Sequence, residues 1–201
     1  MTEAVEATDA KLLALAADHV RRFGLARTTV VGIAQEANMS HANVYRYFAT
    51  KSALIDAVIG HWLKPLEMAL RDVADGPDPA YDKLERICGV IFRTYRQKLE
   101  TDPEWFAIFA SATDKGRGFA KKHRARIRDE IQRIVEEGVA GGLFTAGSRR
   151  QLVAFVFDAL HRFIHPVCIR LDAEIPSHEL NVRFDRVAAA TVRAMGARIA
   201  K

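Results

Sequence analysis

Cysteine is nearly absent: Cys88 and Cys168 are the only two in 201 residues. That excludes a disulfide framework and a cysteine-rich metal site, and it fits a reduced compartment in which both thiols serve as small buried apolar groups. No apolar run approaches the ~18 residues of a membrane span. Period-two alternation of strand length is missing, and so is any internal repeat, which leaves helices as the only regular structure. There is no glycine-rich phosphate loop, no nucleophile elbow and no carboxylate pair with a chemical rationale, so nothing supports an enzyme or a bound cofactor. The N-terminal MTEAVEATDA is acidic and lacks the basic and apolar stretches of a signal peptide. The expectation is a cytoplasmic protein with no membrane partner. In that setting Asn38-Met39-Ser40 is a chance match to a glycosylation acceptor.

What is present supports a packed core, because 49% of the residues are hydrophobic. The net charge of +5 suits a nucleic-acid partner, but its distribution weakens the argument. Residues 1–60 carry six cations and six carboxylates, so any positive face there is local, made by Arg21, Arg22, Arg27, Arg46 and Lys51. The densest basic run is Lys115, Arg117, Lys121, Lys122, Arg124, Arg126, Arg128 and Arg133. Its simplest reading is a solvated helix face; an anionic partner or a second DNA contact is the sharper one.

The informative stretch is Thr28–Leu54. Val30, Ile33, Ala34 and Ala37 recur at helical spacing, with Thr28 or Thr29 ahead of them as an N-cap. Asn38 follows where the chain must turn, and Asn tolerates a left-handed backbone. Ser40 then caps a helix over His41–Phe48, in which Val44 and Phe48 face inward while His41, Asn43, Tyr45, Arg46 and Tyr47 face outward. Thr50 and Lys51 open the next helix. Two short helices joined by a tight turn, the second rich in hydrogen-bonding groups, read as a helix-turn-helix with its recognition helix at Ser40–Phe48. Asn43 can pair with an adenine edge, and Arg46 with guanine or a phosphate.

These residues resemble the TetR family of bacterial transcriptional regulators, through Thr29, Ile33-Ala34, Ala37, Ser40, Tyr45-Arg46-Tyr47-Phe48, Lys51 and Leu54. The resemblance covers the first third of the chain. Asn38 stands where relatives usually have Gly, and Val31 and Gly32 stand where they often have polar groups, so fewer contacts from the second helix are expected. The resemblance implies that Tyr45 and Lys51 grip phosphates, with Thr29 at the start of the second helix, and that Ser40, His41, Asn43 and Tyr47 face the groove. It also implies a ligand-responsive repressor that binds double-stranded operator DNA as a homodimer.

Elsewhere the first ten residues read as a mobile tail, and Asp9 as the cap of a helix ending at Gly24. A long helix from Lys51 to about Val73 contains Pro65, which should kink or split it. Beyond Asp75–Pro79 come an apolar face (Leu84 to Leu99), a short aromatic helix opened by Pro103, and a basic helix ending near Gly138. One helix over Arg149–His165 is followed by a last one over about His178–Ile199. The fold is therefore all-α with about nine helices. Residues 1–60 form a three-helix DNA-binding domain, with the motif at about 29–51, and residues 61–201 a helical effector-binding and dimerisation domain.

Trp62, Phe92, Tyr95, Trp105, Phe106, Phe109, Phe157 and His161 are the candidates to line a small-molecule effector site, with plain core packing as the alternative for many of them. His161 and His165, four apart, share one helix side as paired metal ligands would, but no third ligand has evident spacing. Pocket lining is expected there, and no metal. Dimerisation is expected through the last two long helices, with Phe184 and Val187 in the contact. The alternative function is an all-α ligand-binding or scaffolding protein whose helix-turn-helix no longer reads DNA.

Overall fold

The computed structural model describes residues 2–116 and 118–196, with side chains from residue 10 onward. Arg117 and Ile199, both named above, lie outside the described residues. Within them the chain forms eleven helices and no strand. In order these are α1 (Thr2–Arg27), α2 (Val30–Glu36), α3 (His41–Tyr47), α4 (Lys51–Asp75), α5 (Ala80–Thr101), α6 (Pro103–Asp114), α7 (Gly118–Ala140), α8 (Arg149–Ala159), α9 (His161–Ile164), α10 (Pro166–Leu171) and α11 (Ser177–Gly196).

The N-terminal tail is not a tail. Helix α1 begins at Thr2, so Asp9 lies inside it, because an Ala- and Glu-rich segment without Gly or Pro propagates a helix readily. It breaks at Gly24 (φ 75°), as the sequence indicates, and Thr28 follows fully buried, its hydroxyl donating to the Gly24 carbonyl at 2.9 Å. Leu12, Ala16 and Val20 of α1 pack behind the reader against Ile33, Ala34 and Val44.

Helix α4 runs unbroken through Pro65 rather than splitting there. Proline cannot donate to the His61 carbonyl four residues back, but Pro65 and His61 are both exposed, so water can satisfy that carbonyl. The buried side of α4 carries Leu63, Leu66 and Leu70 onto α5 and α7, its main neighbours. Two glycines let α7 approach closely. A Cβ on Gly60 would stand 2.8 Å from the Phe119 ring, and one on Gly118 (φ +55°) would collide with the Asp56 carboxylate. The apolar core is continuous from Leu12 to Met195 and crosses residue 60 without a gap. Cys88 sits in it, its thiol pushed up to about 12 by burial and by the charge of Glu85.

The expected single helix over Arg149–His165 is two elements in the structure, α8 and α9, and a further short helix, α10, follows from Pro166, which accounts for eleven helices rather than nine. Leu160 leaves the helical region (φ −101°, ψ 7°), and its carbonyl accepts from both Phe163 and Ile164 to start the next turn. His165 is extended (φ −101°, ψ 122°) because the ring of Pro166 disfavours a helical residue before it. This double bend drives Phe163 inward. Phe163 meets Phe92 edge-on at 5.5 Å, and Phe184 of α11 stacks on Phe92 at 5.0 Å. Phe184 is thus a core residue, 3% exposed, and not the subunit-contact residue expected from the helical pattern; Val187 is half-buried. The exposed large apolar groups on these elements are Phe155 of α8, Leu171 of α10 and Val182 of α11.

Candidate nucleic-acid interface and effector cavity

Three hydroxyls in sequence set the reader. The Oγ1 of Thr29 accepts from the Gly32 amide at 3.0 Å, Oγ of Ser40 from Asn43 at 3.2 Å, and Oγ1 of Thr50 from Ala53 at 3.0 Å. Each satisfies an orphan amide at a helix start, worth about 1 kcal/mol. Between α2 and α3, Asn38 takes the left-handed conformation (φ 54°). The Met39 amide reaches back to Ala34 O at 2.9 Å and the Asn38 amide to Gln35 O at 3.1 Å, closing the α2 C-terminus. Gly32 is small for a packing reason: a Cβ there would stand 2.9 Å from Nε2 of His19.

Held this way, α3 buries Val44 completely and half-buries Phe48. His41, Tyr45 and Arg46 are exposed, whereas Asn43 is half-buried and Tyr47 packs partly against the core instead of facing fully outward. Thr29 and Ser40 use an oxygen lone pair for capping and keep an O–H to donate. Lys51, half-buried, donates to Leu25 O at 2.7 Å and retains two further ammonium protons. The positive face is smaller than the sequence indicates. Arg21 is clamped to Asp102, the residue just before α6, at 2.7 Å, and Arg22 is held by Asp18 and Glu36 at 2.8 and 2.7 Å. Arg27 and Arg46 make no ion pair among the described residues. The basic run on α7 is tied down in part, with Arg126 on Glu67 and Arg133 on Asp75 and Glu130. Arg128 covers the Phe157 ring at 4.8 Å.

Four of the eight effector candidates share one cavity. Tyr95, Phe109, Phe157 and His161 line a common cavity of about 30 Å³, together with Thr113, His123, Arg124, Ile127, Ile164, His165 and others. Trp62, Phe92, Trp105 and Phe106 do not. Phe92 belongs to the Phe163–Phe184 cluster and Phe106 to the core between Tyr95 and Phe109. The two tryptophans tie the reader to the rest. Trp105 Nε1 donates to Ala17 O of α1 at 3.2 Å, and Trp62 Nε1 donates to the Asp102 carboxylate at 3.2 Å. The Lys98 ammonium lies over the Trp62 ring at 4.1 Å. Asp102 therefore joins α1, α4 and α6. Its hydrogen bond from Arg21, more than any other influence, holds its carboxyl below the usual carboxylate range.

His123 is the residue that sequence reasoning missed. It falls on the α7 stripe with Ala120, Ile127 and Ile131, where a titratable group among apolar neighbours was the available signal. In the structure it is 1% exposed, Nε2 pairing with the Tyr95 hydroxyl at 2.9 Å and Nδ1 with Glu67 Oε1 at 2.7 Å. Burial pushes the Glu67 carboxyl up, but the hydrogen bonds and charges of His123 and Arg126 outweigh it and hold the group low. Burial, with the Glu67 charge, raises the Tyr95 hydroxyl far above its ordinary value, so it stays protonated. A buried polar chain thus leads from the cavity wall to α4. The bend before Pro166 also brings His161, His165 and Cys168 together, giving the histidine pair the third partner that the sequence reading did not find. Burial lowers the His165 pKa, with His161 and Arg124 adding to the effect.

Comparison with known proteins fits this arrangement. Residues 80–188 match the family described as tetracyclin repressor-like, C-terminal domain, and residues 12–58 that of bacterial regulatory proteins, tetR family. The HTH-type transcriptional regulator LuxR of Vibrio harveyi is 28% identical over 105 residues, 52% of this chain. The match spans about half of that relative, 51% of its length. FadR from Bacillus subtilis, solved with stearoyl-CoA, is 13% identical with a TM-score of 0.67, over 92% of this chain and 98% of FadR. RolR, solved with resorcinol, is 20% identical with a TM-score of 0.62, over 98% of this chain and 91% of RolR. At such identities these two show a shared fold. Among the described residues no helix is long and apolar enough to cross a membrane. The two family matches together cover the reader, α5–α10 and the first part of α11: the chain belongs to the tetR family of bacterial regulatory proteins and is a DNA-binding transcriptional regulator.

Proposed function

We propose that this protein is a repressor that binds a palindromic operator as a homodimer and releases it when a small molecule enters the cavity beside Tyr95 and His123. The observation that carries the reading is the capped turn at residues 29–40, which fixes α3 by backbone hydrogen bonds while leaving its polar side chains unspent. On this reading His41, Asn43 and Tyr47 meet base edges. Tyr45, Lys51 and Thr29 donate to phosphates, Ser40 faces the groove at the start of α3, and Arg46 serves either. Residues 1–60 act as the reader and residues 61–201 as the effector and dimer domain, with α4 shared between them. A DNA partner places the protein in the bacterial cytoplasm, and no catalytic role is assigned to it.

The cavity of about 30 Å³ has room for two or three waters at roughly 10–15 Å³ each, so an effector must displace part of the wall. Half-buried Phe157 and exposed His161 are the movable side, and Phe109, Ile127 and Tyr95 the fixed one. The fitting chemistry is an apolar molecule with one hydrogen-bonding group directed at Thr113, Tyr95 or His123. FadR and RolR were solved with ligands as different as stearoyl-CoA and resorcinol, so the shared fold sets no ligand size. An effector that competes for His123 alters its bond to Glu67 on α4, the helix that begins at the reader. That supplies the differential contact a ligand needs to shift the balance of two states.

The exposed apolar residues Phe155 on α8 and Val182 on α11 are the natural centre of a two-fold contact. Replacing both with Glu should give monomers in sedimentation, with the helical content unchanged. Footprinting of the chain's own upstream DNA tests the central reading. A protected palindrome, with half-sites about one helical turn or a multiple apart, is expected. A folded dimer that protects nothing would favour the helical scaffolding alternative.

A further inference from the structure

We propose that His161, His165 and Cys168 form a binding site for one zinc-class transition-metal ion at the outer edge of the cavity. One ligand atom from each lies within 4.8 Å of the other two. The imidazole rings already face each other, centroids 4.6 Å apart and planes 23° from parallel. Nδ1 of His165 is buried and has no hydrogen-bond partner, a state that an ion or a water would relieve.

The local fold produces this cluster. The three residues stand at positions i, i+4 and i+7, on α9, at its end and on α10. Pro166 interrupts the helix between them without separating the side chains, and it fixes His165 in an extended conformation. Two imidazoles and a thiol suit zinc or a similar borderline ion, and with no carboxylate in the set they do not suit magnesium or calcium. Tetrahedral zinc, with bonds of about 2.0–2.3 Å, would hold these atoms roughly 3.3–3.6 Å apart, so the side chains close by about an ångström on binding. The thiol proton leaves to solvent as the Cys168 thiolate binds.

The neighbours define the rest. His123 lines the same cavity but spends both ring nitrogens on Tyr95 and Glu67, so it is not the fourth ligand. Solvent takes that position, reached past the exposed His161. Arg162 is neutralised by Asp172 at 2.7 Å. The Arg124 charge opposes a dication, and the Cys168 thiolate offsets it. None of this depends on DNA or an organic effector, so failure of one reading leaves the other standing.

Titration of the metal-free, full-length protein with cobalt(II) provides the test. The wild type should bind one ion per chain and develop a thiolate-to-cobalt charge-transfer band that zinc(II) erases. Cys168→Ser should lose that band, since the remaining Cys88 is buried in the core. His161→Gln, at an exposed position, should weaken cobalt binding by at least about tenfold, while unchanged circular dichroism shows that the fold survives. A wild-type protein without the band, or a Cys168→Ser variant that keeps it, would overturn the proposal.

Discussion

Tyr45 and Tyr95 both sit on helices, yet they represent two regions with opposite uses of polarity. Tyr45, 48% exposed on α3, makes no side-chain hydrogen bond among the described residues. Tyr95, 1% exposed on α5, hands its hydroxyl to His123 and leans edge-on against Phe106 and Phe109. The reader spends backbone groups and small hydroxyls on its own construction and keeps its larger polar side chains for a partner. The cavity wall spends its polar side chains on one another. A binding surface that must meet DNA needs unsatisfied donors in water, where they cost little. A buried wall cannot leave them unsatisfied without losing about 1–3 kcal/mol each.

The largest expected separation between the two regions is in stability. Phe106→Ala removes a fully buried ring from the aromatic cluster and should cost about 3–5 kcal/mol in denaturant unfolding. Tyr45→Ala should change unfolding by less than about 0.5 kcal/mol while weakening DNA binding. Equal losses in the two variants would erase the distinction.

Next in size is the relay. Tyr95→Phe leaves Nε2 of the buried His123 without its partner, which should cost roughly 1–3 kcal/mol of stability. If the relay carries the signal, effector concentration-response curves should move more than ligand-free operator affinity does. A variant with normal stability and a normal response would sever the cavity from α4.

The smallest effect concerns the clamp that joins the regions. Arg21 holds the Asp102 carboxyl low, so its stabilisation is complete above the unfolded value of about 3.9 and is lost as pH falls through the lower folded value. With Arg21 about half exposed, the contribution should be roughly 1 kcal/mol or less. Asp102→Asn should therefore be less stable than wild type near neutral pH, and the gap should close under acid conditions. A gap that persists well below pH ~3 would assign the effect to the Trp62 hydrogen bond instead.

How far each region could be read from sequence follows from the range of its interactions. The caps at Thr29, Ser40 and Thr50 act three residues ahead, and the Asn38 turn closes within five, so local pattern was sufficient. The clamp spans Arg21 to Asp102 and the relay spans Glu67 to His123, pairings that no local spacing encodes. For that reason Arg21 and Arg22 looked like free cations, and the hydrogen bonds of Trp62 to Asp102 and of Trp105 to Ala17 had no signal in the sequence. Phe184 was misplaced for a related cause. Helical periodicity marks an apolar face but does not say whether it meets its own chain or a second one, and the bend at Leu160 settles that by bringing Phe163 beneath it.

The most direct test of α3 as the reading element is fluorescence anisotropy of operator and scrambled duplexes across a salt series. Wild type should prefer the operator. Asn43→Ala should lose roughly 1–3 kcal/mol at one base pair with little change in the salt slope. Lys51→Ala should weaken both duplexes alike and reduce the magnitude of the slope by about 1. Loss of sequence preference in Lys51→Ala with full preference kept in Asn43→Ala, or equal wild-type affinity for both duplexes, would contradict the account.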